Sequence, residues 1–418
     1  MRTRPRVVVV GGSFAGLCCV RHLKKQNFDV TLVEPKEYFE YTPGILHLLA
    51  GSQGDLMSPL GAMALGSGAG RVVHGQFIGV NTATKEVAVV PFFGDNSSNS
   101  SKSINDDAGR ILLPYDAAII CAGTPYTSPI RQDWRHGNPG PLSTATRRTE
   151  IEQYTERLRN ASHVIVAGGG LVGVELAAEL STRLRGVIKQ VTLISRSPLL
   201  TTLPVPAGRH ALAWFTRRNN VRVLIEDEII SCDSSSHADG GLYITKSGQQ
   251  LRADLFIDCT GSRSSLPSSH IVLSPSCSGD GSSGDSLLSG GADGLLWPFN
   301  TRGLVNVDEH FRAVDFDTST ALFAAGDVVE HSTGAGVGFA ASTPMAPFGA
   351  LMARPTVRNA HLAESQAELV AHNVASLLLK AQSGPPSLQS YPRDVFGTSL
   401  CPLLSCVSLG NVCMSETG

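Results

Sequence analysis

The chain has 418 residues, with 34 Lys and Arg against 36 Asp and Glu, and only 17% are charged. The net charge of −2 excludes a generally basic nucleic-acid binder and gives no pull toward anionic membranes. The 42% apolar share excludes wholesale disorder, and the length predicts two or three domains.

Taken in chain order, the opening MRTRPRVVVV has an apolar run too short for a secretory core, and no later run is long enough to span a bilayer. Nine scattered cysteines form no CxxC and no zinc spacing, so a reducing, cytoplasmic setting without a metal is expected. Cys18 and Cys19 fall in a predicted helix and read as small core residues.

Val7–Glu34 reads strand, glycine turn, helix, strand. Val7–Val10 suits a parallel strand buried on both faces, and Leu17, Val20 and Leu23 line one helix stripe. Gly11, Gly12, Ser13 and Gly16 make the turn, with Ser13 at the middle position of G-x-G-x-x-G. Ser13 crowds a pyrophosphate there unless its hydroxyl donates to it. Glu34 ends the second strand, placed to accept both ribose hydroxyls. Val72–Phe77, Glu86–Val90 and Ile111–Leu113 suit a β-meander, interrupted by a polar insertion at Gly94–Gly109. Tyr115–Gly123 reads as a parallel strand leaving this unit at Gly123.

His163–Ser195 repeats the pattern with the full set Gly168, Gly170 and Gly173, and with Val172, Leu176, Ala177 and Leu180 along the helix. Here the second strand ends in Ser195 and Arg196 rather than an acid, which tolerates or favours a 2′-phosphate. Ala253–Gly261 mirrors the earlier exit strand and ends at Gly261. After a Ser/Gly-rich insertion at Ser274–Gly294, Ala321–Asp327 delivers Gly326 and Asp327 to a turn that can meet a polyol. Ser332–Pro355 reads as a long irregular loop, and Ala367–Asn373 as part of a helix.

Two βαβ units predict an α/β protein with two doubly wound, Rossmann-like dinucleotide-binding domains and a short C-terminal region. The first domain is expected to be discontinuous, over 1–128 and 263–350. The second takes 129–262, and a helix with a partial β region takes 351–418.

The segments VVVVGGSFAG, YDAAIICAG, VAGGGLVGVELAAEL, DCTG and LFAAGD together resemble the motif set of the pyridine nucleotide-disulfide oxidoreductase superfamily. That resemblance covers nearly the whole chain. It implies FAD on the first unit, NAD(P)H on the second, and Asp327 against the FAD ribityl chain. The redox-disulfide branches need a cysteine pair near the flavin, and Cys18–Cys19 lack the spacing. Glu37–Gly44 (EYFEYTPG) is similar to the ferroptosis suppressor-like and type II NADH:quinone oxidoreductase branches, which implies Thr42 and Pro43 beside the flavin ring. Glu175 matches an acid lying near flavin and nicotinamide in those branches.

Type II enzymes carry an Ala-Gln pair at their quinone site. Here Ala360-His361 stands in that place, so His361 becomes a candidate proton donor to a reduced acceptor. The implied function is NAD(P)H oxidation through FAD to a quinone-like acceptor. A respiratory type II NADH dehydrogenase and a slow redox-sensing flavoprotein are the alternatives. Tyr391–Gly410 resembles the start of the family's C-terminal β-structure, after which Asn411–Gly418 reads as a short polar end. Pro385, Pro386, Pro392 and Pro402 break the region, and Leu400, Leu403 and Leu404 are expected at an open edge. A truncated tail of this kind implies weak or no membrane association and a preference for small, soluble quinones.

Overall fold

The structure is a computed structural model that describes residues 4–65, 70–92, 109–124, 126–132, 142–233, 240–261, 295–300, 303–331, 360–380, 387–390, 405–409 and 412–416. The first sheet begins with β1 (Arg6–Val10), α1 (Phe14–Lys25) and β2 (Asp29–Glu34). It continues with β3 (Arg71–Asn81), β4 (Glu86–Pro91), β5 (Ile111–Pro114) and β6 (Ala117–Ile120). The connecting helix α2 (Thr144–Asn160) leads to the second sheet, of β7 (His163–Ala167), α3 (Leu171–Arg183), β8 (Gln190–Ser195), β9 (Val221–Ile225) and β10 (Leu255–Asp258). The chain then returns through β11 (Leu322–Ala324), α4 (Ala360–Lys380), β12 (Ser405–Leu409) and β13 (Val412–Glu416).

The strand order of the first sheet is β11-β6-β1-β2-β3-β4-β5. Its β11-β6-β1-β2-β3 part is parallel, and β3-β4-β5 is an antiparallel meander. The meander therefore arises as predicted, but its first strand is also the last parallel one. The second sheet, β9-β8-β7-β10, is parallel throughout. Both follow from the apolar runs. Val7 to Val10 are 0–4% exposed, and such burial contributes about 1.5–3 kcal/mol per side chain. α1 packs on α4, and the thiols of Cys18 and Cys19 donate to the carbonyls of Glu364 and Ala367, each at 3.5 Å.

The insertions 94–108 and 274–294 and the loop 332–355 lie outside the described residues, as do Leu400, Leu403, Leu404 and the four tail prolines. The polar end 411–418 differs from its reading: Val412–Glu416 is a strand that pairs antiparallel with β12. Val407 and Leu409 of β12 are 1% and 0% exposed within the core of the second sheet, so burial of one strand recruits the other. Among the described residues no helix is long and apolar enough to cross a membrane.

Candidate functional site

The two glycine turns are built alike. Gly11 has φ +105° and Gly168 φ +124°, and a Cβ on either would stand 2.3 Å from a carbonyl oxygen, that of Cys121 or Cys259. A Cβ on Gly16 would stand 1.7 Å from the Gly11 oxygen, and one on Gly173 2.0 Å from that of Gly168. Only glycine lets each helix close on its own turn. Neither α1, with Ser13 at its N-cap, nor α3, with Gly170 there, receives a side-chain cap, and a Cβ on Gly170 would meet nothing. The first N–H groups of both helices are thus left for an anion, as a pyrophosphate requires.

The strand ends differ. Glu34 is 4% exposed and folds onto its turn: Oε2 accepts the Gly12 N–H at 2.5 Å and Oε1 the Lys36 N–H at 3.1 Å. Ser195 takes the same place over Gly169, and its hydroxyl donates to the Ser197 carbonyl at 2.7 Å. Arg196 is largely exposed, with Nε 3.8 Å from Glu228 Oε2. Gly123 and Gly261, at the two exit strands, both adopt positive φ. Gly326 does so too, and its N–H donates to Gln366 Oε1 at 2.9 Å, which ties the Gly326–Asp327 turn to α4. Asp327 itself is half-buried.

Thr42 and Pro43 lie in a single 3₁₀ turn, Thr42–Gly44, directly after the short strand Tyr38–Glu40. Glu40 anchors that strand through a group sequence reasoning missed. Arg147, wholly buried in α2, donates to both Glu40 oxygens at 2.9 and 3.2 Å, to Glu150 at 2.7 Å, and to the carbonyls of Pro129 and Ile130. The local sequence shows only the i,i+3 pair with Glu150; Glu40 and the carbonyls of Pro129 and Ile130 stand in other elements.

Glu175 is half-buried on α3, and one oxygen accepts the Ser408 N–H at 3.0 Å. Burial pushes its carboxyl up; the Ser408 bond and nearby His47 oppose the rise, and Glu179 adds to it. His361 is exposed on the first turn of α4. α4 packs on α1, whereas α3 packs on β12 and the short helix Ile45–Leu49, so the two candidate acid–base residues stand on separate elements. Among the described residues no group of three or more His, Cys, Asp or Glu could hold a metal.

Cys18, Cys19, Cys121 and Cys259 are buried and free. Burial pushes Cys18 up to about 11, and a bond from Cys121 together with burial raises Cys19. Serine at 18 and 19 keeps both donors to α4. A Cys18→Ser, Cys19→Ser chain is expected to retain flavin content and turnover within about twofold, since neither thiolate forms at neutral pH. Steady-state NAD(P)H oxidation checks this, and turnover lost with flavin retained contradicts it.

Known proteins share parts of this sequence and its fold. Ferroptosis suppressor protein 1 of Xenopus laevis is 25% identical over 66% of this chain and 68% of its own length. The external alternative NAD(P)H-ubiquinone oxidoreductase B1 of Arabidopsis thaliana is 24% identical over 51% of this chain and 38% of its own. In fold, the chain matches NDH2 of Plasmodium falciparum, solved with NADH, at a TM-score of 0.65 and 14% identity, over all of this chain and 90% of that one. The sequence profile named pyridine nucleotide-disulphide oxidoreductase matches residues 5–270. The chain therefore belongs to the pyridine nucleotide-disulphide oxidoreductase family, a membership that implies FAD and NAD(P)H as its cofactors.

Proposed function

We propose that the chain is an FAD-dependent NAD(P)H oxidoreductase that delivers electrons to a quinone-type acceptor. One observation carries the reading: two matching glycine turns differ in what sits over them, a carboxylate at Glu34 and a hydroxyl at Ser195. A carboxylate suits an unphosphorylated ribose, as in FAD, and a hydroxyl leaves room for NADPH.

In this reading Gly11, Gly12, Ser13, Gly16 and Glu34 hold the adenosine and pyrophosphate of FAD. Gly123, Gly326 and Asp327 meet its polyol, and Thr42 and Pro43 lie beside its ring. Gly168, Gly170, Gly173, Ser195, Arg196 and Gly261 hold NAD(P)H. Bound flavin supplies acceptance of a hydride equivalent from the nicotinamide and release of electrons to the acceptor. The chain's own part is to orient the two rings and exclude water, with Glu175 as a half-buried acid and His361 as an exposed proton donor to the reduced acceptor. One similar protein, the Arabidopsis thaliana enzyme, is an NAD(P)H-ubiquinone oxidoreductase, which supports a quinone.

The test is an anaerobic titration of the purified, flavin-loaded protein with NADH or NADPH, followed by quinone. Flavin absorbance that bleaches with nucleotide and returns rapidly with quinone is expected. Protein that takes up no flavin, or reduced flavin that persists with quinone present, rules the reading out.

A further inference from the structure

The acid Glu175 does not stand alone on its helix. Glu179 lies one turn further along α3, so two carboxylates share one face, an arrangement that sets like charges against each other. Glu179 is 1% exposed, accepts from two donors and has His47 close by. His47 Nδ1 stands 3.2 Å from its Oε2, Arg183 Nε donates to the same oxygen, and the Ser408 hydroxyl donates to Oε1 at 3.0 Å. Glu175 receives one bond, from the Ser408 N–H. One residue of the C-terminal hairpin therefore touches both carboxylates. Ser408 faces Cys413 across the hairpin, and its N–H is directed to α3 instead of the ladder. Val407 and Leu409, on either side of it, are buried in the core and fix its height against the helix.

We propose that Ser408 is a positioning residue for Glu175: the hairpin docks so that its N–H holds Glu175 as a carboxylate, while its hydroxyl keeps Glu179 occupied. This rests on the reading of Glu175 as the site's acid. A backbone N–H given to a carboxylate favours the charged form, so its loss moves protonation to higher pH. The other charged groups facing Glu175 are His47 on the helix Ile45–Leu49 and Glu179 on α3, with Arg183 bound to Glu179. Ser408→Pro also takes the hydroxyl from Glu179, so Ser408→Ala, which removes the hydroxyl and keeps the N–H, separates that effect from the loss of the N–H.

The experiment is a difference infrared titration of the carboxylates in the full-length, FAD-loaded protein, wild type against Glu175→Gln, repeated with Ser408→Pro and Ser408→Ala. Ser408→Pro, which removes the N–H, is expected to raise the Glu175 transition by about one pH unit or more. Ser408→Ala, which keeps the N–H, is expected to move it by less than half as much. If the proline chain does not fold, an ester replacing the 407–408 amide, introduced by peptide ligation at Cys406, deletes the same N–H without the ring. A Glu175 transition unmoved by the proline or the ester overturns the proposal. A transition that moves while the pH profile of NAD(P)H oxidation stays fixed keeps Ser408 as the seat of Glu175 and removes Glu175 from the reaction instead.

Discussion

Arg147→Ala is expected to lower stability by about 3–5 kcal/mol, the usual cost of removing one partner from a buried ion pair. The guanidinium is 0% exposed and bonds to Glu40, Glu150 and the carbonyls of Pro129 and Ile130, which belong to three separate stretches of chain. Alanine leaves Glu40, 4% exposed, as a buried carboxylate without its cation. Lysine offers one charge without the planar fork, so Arg147→Lys is expected to recover part of the loss. Arg147→Met combined with Glu40→Gln and Glu150→Gln removes the uncompensated charges and is expected to be far closer to wild type than Arg147→Ala. The loss also has a functional address. Glu40 stands two residues before Thr42, and 129–130 lies in the connection between the two sheets, so loosening this cluster is expected to weaken flavin retention in parallel. Urea denaturation and flavin release on dilution measure the two effects. A fully folded Arg147→Ala with unchanged flavin affinity would show that the cluster is dispensable.

The parts that the sequence makes legible are those that local physics dictates. Val7–Val10 and His163–Ala167 announce parallel strands because both faces of such strands must be apolar. Gly11, Gly16, Gly168 and Gly173 announce the turns because no Cβ fits at those carbonyls. Glu34 is legible for the same reason: the strand's length alone carries it to the turn. The connection Glu40–Arg147 is not, because a one-dimensional pattern cannot say which distant carboxylate a helical arginine meets; only the i,i+3 neighbour Glu150 is within its reach. Nor is Ser408, whose value lies in a hairpin that brings residue 408 to a helix at 175–179. Val412–Glu416 is short and half polar, and it becomes a strand because β12 is anchored by Val407 and Leu409 and presents it an edge.

Ser195→Glu is expected to turn the nucleotide preference toward NADH by about tenfold to a hundredfold, with the wild type using NADPH at least as well as NADH. Glu34 supplies the template. Its carboxylate lies on the Gly12 N–H, and Ser195 already lies against Gly169, where a Cβ would stand 2.2 Å from the serine hydroxyl. A glutamate at 195 is therefore expected to reach the equivalent place, accept ribose hydroxyls and repel a 2′-phosphate. The wild-type cation that would meet the phosphate is Arg196. Its pairing with Glu228 at 3.8 Å is solvent-exposed, so breaking it costs roughly 0–1 kcal/mol. Glu228 also keeps Lys246 at 3.7 Å, and the freed guanidinium leaves no carboxylate unpaired. Arg196→Ala is accordingly expected to lower kcat/KM for NADPH about tenfold and to leave that for NADH nearly unchanged. The ratio of kcat/KM for the two nucleotides, measured in wild type and both variants, decides the point. A wild type strongly selective for NADH, together with a Ser195→Glu chain of unchanged ratio, would mean that recognition of the 2′ position lies elsewhere in the second unit.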